Sequence, residues 1–173
     1  MMHRKPLVLA IHPTSRGFGY VVFEGPFAPY DWGTVGATGD KNAVCLRKIA
    51  MMLDRFCPET VVMEAYGKES SNRSDRIARL CVAVGSMALH RGIDVVIYKL
   101  GQIKACFASV GAVTRQDIAE AVARHIEAFR HRMPKHRKPW QAEDRRMAMF
   151  CAAALALTHY QLDTTSSCNK LYG

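Results

Sequence analysis

Two short stretches carry most of the constraint on this chain. Leu7-Val-Leu-Ala-Ile11 is an unbroken apolar run that stops at a polar residue, His12, and Val61-Val-Met63 is another that stops at Glu64. Runs of this length without polar alternation read as strands buried on both faces. A polar side chain at the tip of such a strand is a place where chemistry is done, although His12 also fits as an ordinary turn histidine. Pro13 lacks a backbone donor and is expected to end the first ladder. Gly17 and Gly19 permit tight geometry, and apolar residues resume from Tyr20 to Phe23 before the breaker Gly25-Pro26. The opening is therefore a hairpin with His12 at the end of its first strand.

The remaining pattern supplies three more strands and the helices that cover them. Tyr30 to Val35 reads as a third strand. From Asn42 to Phe56 apolar residues recur at Cys45/Leu46, Ile49, Met52/Leu53 and Phe56, a helix with one buried stripe. Thr60 to Glu64 is the fourth strand. Tyr66 to Ser74 is a polar loop, and Ser74 can cap a helix whose stripe is Ile77, Leu80/Cys81, Val84 and Met87/Ala88. Gly92 ends that helix and Asp94 to Tyr98 forms a fifth strand. A short helix or turn over 101–110, a helix from about Arg115 to His131, a basic linker over 130–139 and a last helix from about Ala142 to Tyr160 complete the order. Residues 161–173 read as a loose tail. This order predicts an α/β protein with a five-stranded mixed sheet and helices on both faces, in a single domain spanning residues 1–160.

Charge narrows the partners. The 173 residues carry a formal net charge of +9 and a pI near 9.5, which points to a polyanion, most simply nucleic acid. Ribosomal or membrane-surface association would give the same number. No apolar run approaches the roughly 20 residues of a membrane span, and the basic start Met-Met-His-Arg-Lys-Pro is followed by too short a run for a signal peptide. The six cysteines show no close pairing and read as small buried hydrophobes in a reducing, cytoplasmic setting.

The frame Ile11-His12-Pro13-Thr14-Ser15 with Gly19-Tyr20, then Val61-Val62-Met63-Glu64, then Ala154-Leu155-Ala156-Leu157-Thr158-His159 resembles, in order and spacing, that of the RuvC-type Holliday-junction resolvases. The resemblance covers roughly residues 7 to 160 and implies a ribonuclease H-like fold. Such nucleases hold two Mg²⁺ ions between carboxylates, and the ions activate water and stabilise the leaving oxygen. Carried over residue by residue, the resemblance puts His12 at the first acidic position and Glu64 at the second. Its last helix contributes Ala148 and Cys151, with Asp144 one turn earlier. It thus implies His12, Glu64, Asp144 and Cys151 as the catalytic group. Glu64, Asp144 and His12 would be metal ligands for Mg²⁺ or Mn²⁺ if the site works, with no cofactor at all if it does not. At helical spacing, positions 144, 148 and 151 share a face and Glu143 points elsewhere. Asp144 and Glu143 also suit the positive end of a helix with no further role. His12, Glu64 and Cys151 could in principle hold zinc.

The resemblance further implies phosphate contacts from Lys104 and Arg115, and an aromatic wedge in the loop after Glu64, where Tyr66 is nearest and Lys68, Asn72, Arg73 and Arg76 supply donors. Lys135, Arg137 and Lys138 in the basic linker are phosphate candidates by charge. The family is homodimeric, which implies a dimer through the helix from Ser74 to Arg91, by its stripe Ile77, Leu80, Val84 and Met87. The expected function is binding of branched DNA of the recombination type, with Mg²⁺-dependent cleavage reduced or lost. Two alternatives stay open. One is an active crossover-junction endodeoxyribonuclease with an unusual His/Glu/Asp/Cys site. The other is a structural component of a nucleoprotein assembly.

Overall fold

A computed structural model describes residues 5–66 and 75–171, with side chains described as far as residue 162. Five strands form one mixed sheet: β1 (Val8–Thr14), β2 (Gly17–Phe23), β3 (Pro29–Gly36), β4 (Thr60–Glu64) and β5 (Asp94–Tyr98), in the order β3-β2-β1-β4-β5. The first three strands pair antiparallel, and β4 joins β1, and β5 joins β4, in parallel. Helices α1 (Lys41–Phe56) and α2 (Asp75–His90) cover one face. Helices α3 (Leu100–Ala108), α4 (Arg115–His125) and α5 (Met147–Leu171) cover the other. The fold class is the one expected from the sequence.

Strand parity decides which side chains meet. On β1, Leu7, Leu9 and Ile11 face α1 and α2, whereas Val8 and Ala10 face the α5 side. On β4, Val61 and Met63 take the first face and Val62 the second. Period-two alternation therefore puts His12 and Glu64 on the α5 face together. The parallel register, Val8↔Thr60 through Ala10↔Val62, brings His12 level with Glu64 when continued by two residues. The β1–β4 pairing stops at Ala10, so the strand tips stand beyond the closed part of the sheet, where open α/β sheets place their ligands.

Pro13 does not end the first strand, as its missing donor led us to expect. β1 continues to Thr14 and turns through Ser15-Arg16 into Gly17. In this hairpin Thr14↔Gly17 and His12↔Gly19 are the hydrogen-bonded pairs, so alternation places Pro13↔Phe18 at a non-bonded pair. The absent N–H points to the side where β4 has already stopped pairing, and nothing is lost.

Other boundaries also move. Helix α4 stops at His125, not His131. Ile126 turns into extended geometry (φ −123°, ψ 98°), and a 3₁₀ turn follows over Glu127–Arg132. The break lets both Ile126 and Phe129 reach the core, and the Arg130 side chain donates to the carbonyls of Ala123 and Arg124 at the helix end. The last helix starts at Met147, not Ala142, and its backbone stays helical to Leu171, where a loose tail was expected after Tyr160. Ile77, Leu80 and Val84, expected at a dimer interface, are buried, and Leu80 and Val84 belong to the core cluster of the sheet with α1 and α2. The outward face of α2 instead carries exposed Val82 and Leu89. Among the described cysteines, Cys45 is buried but Cys57 is exposed and holds the left-handed position that ends α1.

β2 and the first turn of α5 approach each other closely. A Cβ added to Gly19 would overlap the Ala148 carbonyl group and crowd the Met149 nitrogen. Glycine at 19 thus sets how low the helix lies, and with it the position of Ala148 and Cys151 above His12. We expect Gly19→Ala to destabilise the protein by about 3 kcal/mol, since both partners are backbone and neither can give way cheaply. Gly36→Ala, which meets nothing within 4 Å, is the control and should change stability little. Denaturant unfolding of the two variants checks this, and equal midpoints would show that the helix does not rest on Gly19.

Candidate active site

The site lies where β1 and β4 end under the first turns of α5. His12 and Glu64 are buried, at 2% and 9% exposure, and His12 Nδ1 lies 3.8 Å from Glu64 Oε2. That separation is an ion-pair distance and exceeds a hydrogen bond. Cys151 faces them from α5, half-buried. Two cavities meet here. One, of about 280 Å³, is lined by Glu64, Lys104, Thr114 and Arg115. The other, of about 300 Å³, is lined by Thr14, Arg16, Glu143 and Asp144. His12 and Cys151 line both and form the partition between them.

Arg115 is brought in by the start of α4. Thr114 caps that helix by accepting from the Asp117 backbone, and the Asp117 carboxylate returns the bond to the Thr114 N–H (2.9 Å) and the Val113 N–H (3.1 Å). These backbone bonds hold the Asp117 carboxyl below its ordinary range. The reciprocal cap fixes the first turn, and Arg115 reaches across to Glu143 Oε1 at 2.8 Å. Burial works against the charge of Arg115, but nearby Cys151, Glu143 and Glu64 outweigh it and raise the guanidinium above its usual value. Glu143 therefore does not point away from the site, as helical spacing implied. It closes the cavity rim as the partner of Arg115.

Asp144 is also displaced from its expected place. It precedes α5, so the shared face with positions 148 and 151 does not exist. Its Oδ1 accepts from the Arg146 N–H at 2.9 Å and from Arg146 Nε at 3.0 Å, and its Oδ2 accepts from Arg146 Nη2 at 2.7 Å. Both oxygens are thus committed to one guanidinium, in a tight turn whose Asp144 carbonyl accepts from the Met147 N–H. The sequence signal for this turn was present: an aspartate followed two residues later by arginine, just ahead of an apolar run, is a helix-start pattern.

The donor set does not suit two Mg²⁺ ions. Hard cations in that role need several carboxylate oxygens, and here the two strand tips bring one carboxylate and one imidazole. Ala148 brings no donor, Asp144 is clamped by Arg146, and Glu143 is paired to Arg115. Among the described residues no group of three or more His, Cys, Asp or Glu side chains is arranged to hold a metal ion. The zinc arrangement of His12, Glu64 and Cys151 is not assembled either.

The expected DNA contacts separate into three groups. Lys104 and Arg115 stand at the 280 Å³ cavity, and Lys135, Arg137 and Lys138 are exposed on the neighbouring loop. Arg76 instead ties elements together: it donates to Asn42 Oδ1 (2.9 Å) and to the Thr14 carbonyl (3.1 Å), joining α2 to α1 and to the end of β1. Tyr66 is half-buried just past β4. Lys68, Asn72 and Arg73, with the capping position Ser74, lie outside the described residues.

No protein-family model matches the chain, and no curated protein matches it in sequence. Solved structures do match. Thermus thermophilus RuvC is 22% identical with a TM-score of 0.68, covering 92% of this chain and 96% of its own. The same protein in complex with a Holliday junction substrate gives 18% identity, a TM-score of 0.67 and coverage of 93% and 96%. The yeast mitochondrial Holliday junction resolvase is 16% identical with a TM-score of 0.59, covering 100% of this chain and 87% of its own. The chain has the ribonuclease H-like fold of the RuvC-type resolvases.

The clamp on Asp144 makes a measurable statement. The side-chain bonds from Arg146 hold its carboxyl below the ordinary carboxylate value. Stability drawn from a depressed carboxylate is present above the unfolded-state pKa and disappears as pH falls through the folded one. We expect a carboxyl carbon NMR titration to place the Asp144 midpoint below that of an exposed aspartate, and Arg146→Gln to move it upward. A midpoint that stays put in the variant would show that Arg146 does not control this group.

Proposed function

We propose that this protein binds branched DNA and has little or no Mg²⁺-dependent phosphodiester cleavage. The observation that carries the reading is the donor set at the two strand tips. Where a two-metal nuclease needs several anionic ligands, this chain presents an imidazole, one carboxylate, a thiol and a methyl group. Arg115 and Arg146 meanwhile take up the nearby carboxylates Glu143 and Asp144. Two divalent ions bring four positive charges, and a site that already contains an arginine repels them further.

The same cations suit a phosphate backbone. The net charge of +9 makes counterion release a large part of any DNA affinity. Lys104 and Arg115 at the cavity, with Lys135, Arg137 and Lys138 beside it, would contact phosphates and fix the register of a strand without reading its sequence. The fold shared with RuvC, whose complex with a Holliday junction substrate is known, supports four-way junctions, of the kind formed in recombination, as the preferred ligand. A homodimer would match the two-fold symmetry of such a ligand. Its interface would use the outward face of α2, with Val82 and Leu89 exposed at 71% and 63%, in place of the buried stripe.

Gel-shift titration should show a four-way junction bound at least about tenfold more tightly than linear duplex at moderate salt. Equal affinities would leave only general electrostatics. Wild-type protein should leave a labelled junction uncut in Mg²⁺. His12→Asp with Cys151→Asp restores two anionic ligands and should raise Mg²⁺ binding and cutting, and adding Glu64→Gln should abolish the gain. Robust Mg²⁺-dependent cutting by the wild type, lost on Glu64→Gln alone, would establish the alternative of a working endonuclease. Light scattering at micromolar concentration should give a dimer mass that falls to monomer in Val82→Asp/Leu89→Asp, and a monomeric wild type would remove the dimer.

A further inference from the structure

The loop between the 3₁₀ turn and α5 holds an aromatic side chain that neither the core nor the site uses. Trp140 is 77% exposed, the highest value among the described large hydrophobic residues that stand outside the core. The loop is built to hold it there. The Gln141 N–H donates to the Lys138 carbonyl at 2.9 Å, closing a tight turn with Pro139 and Trp140 at its two central positions. The Gln141 side-chain oxygen accepts from the Lys138 N–H at 3.0 Å, and Arg137 Nη1 donates to the Gln141 carbonyl at 2.8 Å. Further back, His136 pairs with Glu120 at 2.8 Å, and Gln116 donates to the Pro134 carbonyl at 3.3 Å, so the loop is tied to α4. The indole is thus presented on a pre-set turn.

Its surroundings identify the ligand chemistry. Lys138 Nζ lies 5.4 Å from the centre of the Trp140 ring, and Lys135 and Arg137 flank it in sequence. A cavity of about 390 Å³ lies between this loop and α4, lined by Arg115, Lys135 and Arg137 and also by Glu143 and Asp144, whose charges are met by Arg115 and Arg146. Arg115 also lines the cavity that holds His12 and Glu64. Arg115 is thus shared by the cavity at the strand tips and the one beside the basic loop. Trp140 does not line this cavity, but Arg137 does, and its guanidinium reaches the Gln141 carbonyl next to the indole. Cations along a groove with an aromatic face close by are the chemistry of single-stranded nucleic acid, in which phosphates follow the charges and a base lies on the ring.

We propose that Trp140 is a stacking platform for an unpaired base of a DNA strand that runs from the site across Arg115 and the 390 Å³ cavity. A base still paired in a duplex has both faces covered by its neighbours and offers nothing to the ring. The subsite therefore selects DNA that is open or distorted near the point where the protein sits. This inference rests on the reading of the chain as a DNA-binding protein and adds to it the residue that senses unpaired bases.

Fluorescence tests it directly, because the chain has two tryptophans and the other, Trp32, is half-buried on β3 and packs against the core with its ring 5.3 Å from that of Phe129. The probes are a linear duplex and the same duplex carrying a single-stranded oligothymidine tail, each also run in gel shift. The tailed probe should quench the wild-type emission and the blunt duplex should not. Trp140→Phe should remove the quenching while keeping most of the affinity for the tail. Trp140→Ala should weaken binding of the tailed probe roughly tenfold and leave blunt-duplex binding unchanged. Binding of the tailed probe without quenching, or with equal affinity in Trp140→Ala, would overturn the stacking role and leave DNA binding standing. A wild type that shifts neither of these probes nor a four-way junction would overturn DNA binding itself.

Discussion

The position of the last helix on the first hairpin is set by a contact between backbones. Gly19 lies opposite His12 across the hairpin, and the first turn of α5 rests on it with no room for a methyl group. Because the register of β1 against β4 brings His12 level with Glu64, and because parity turns both toward α5, one close approach determines what stands over the two strand tips. Cys151 partitions the two cavities together with His12 for this reason alone. A helix lifted by even the width of a side chain would open the floor of the site to solvent.

Above that floor, the carboxylates at the rim are paired to arginines. Arg146 takes both oxygens of Asp144, and Arg115 takes Glu143, so two carboxylates that flank the site have their negative charge met by guanidinium groups. Guanidinium forks match carboxylates in geometry and are more weakly hydrated than ammonium groups, so they hold such pairs well at a half-buried rim. Glu64 remains inside with His12 at ion-pair distance. The sheet, the last helix and the cleft of the ribonuclease H-like fold are thus kept with these carboxylates paired to guanidinium groups.

The basic surface extends that logic outward. Arg115 belongs to the site cavity and to the groove beside the loop, which Glu143 and Asp144 also line. The reciprocal cap at Thr114 and Asp117 holds the start of α4 in place, and the bonds of Gln141 hold the turn that carries Trp140. Both are local, cheap devices, and they pre-organise long side chains that would otherwise lose entropy on meeting a ligand.

The amino-acid sequence alone determined what depends on local periodicity. Strands β4 and β5 fall where the apolar runs place them, and the α/β class follows from element order, whereas the common face of His12 and Glu64 comes from the pairing of β1 with β4. Tertiary structure decided the rest, because those outcomes depend on groups far apart in the chain. Pro13 sits inside a strand only because β4 stops pairing at Ala10. Arg76 serves α1 and β1 because the fold brings Asn42 and Thr14 to it, and Leu80 and Val84 of the α2 stripe are buried in the core beside the sheet. The Arg115–Glu143 pair spans 28 positions, a separation that no helical or strand period encodes. Asp144 is the exception, since its partner Arg146 lies only two residues on, and it still lines the cavity that His12 and Cys151 share. Periodicity reports which face a residue is on, and only the packed chain reports which charge it meets there.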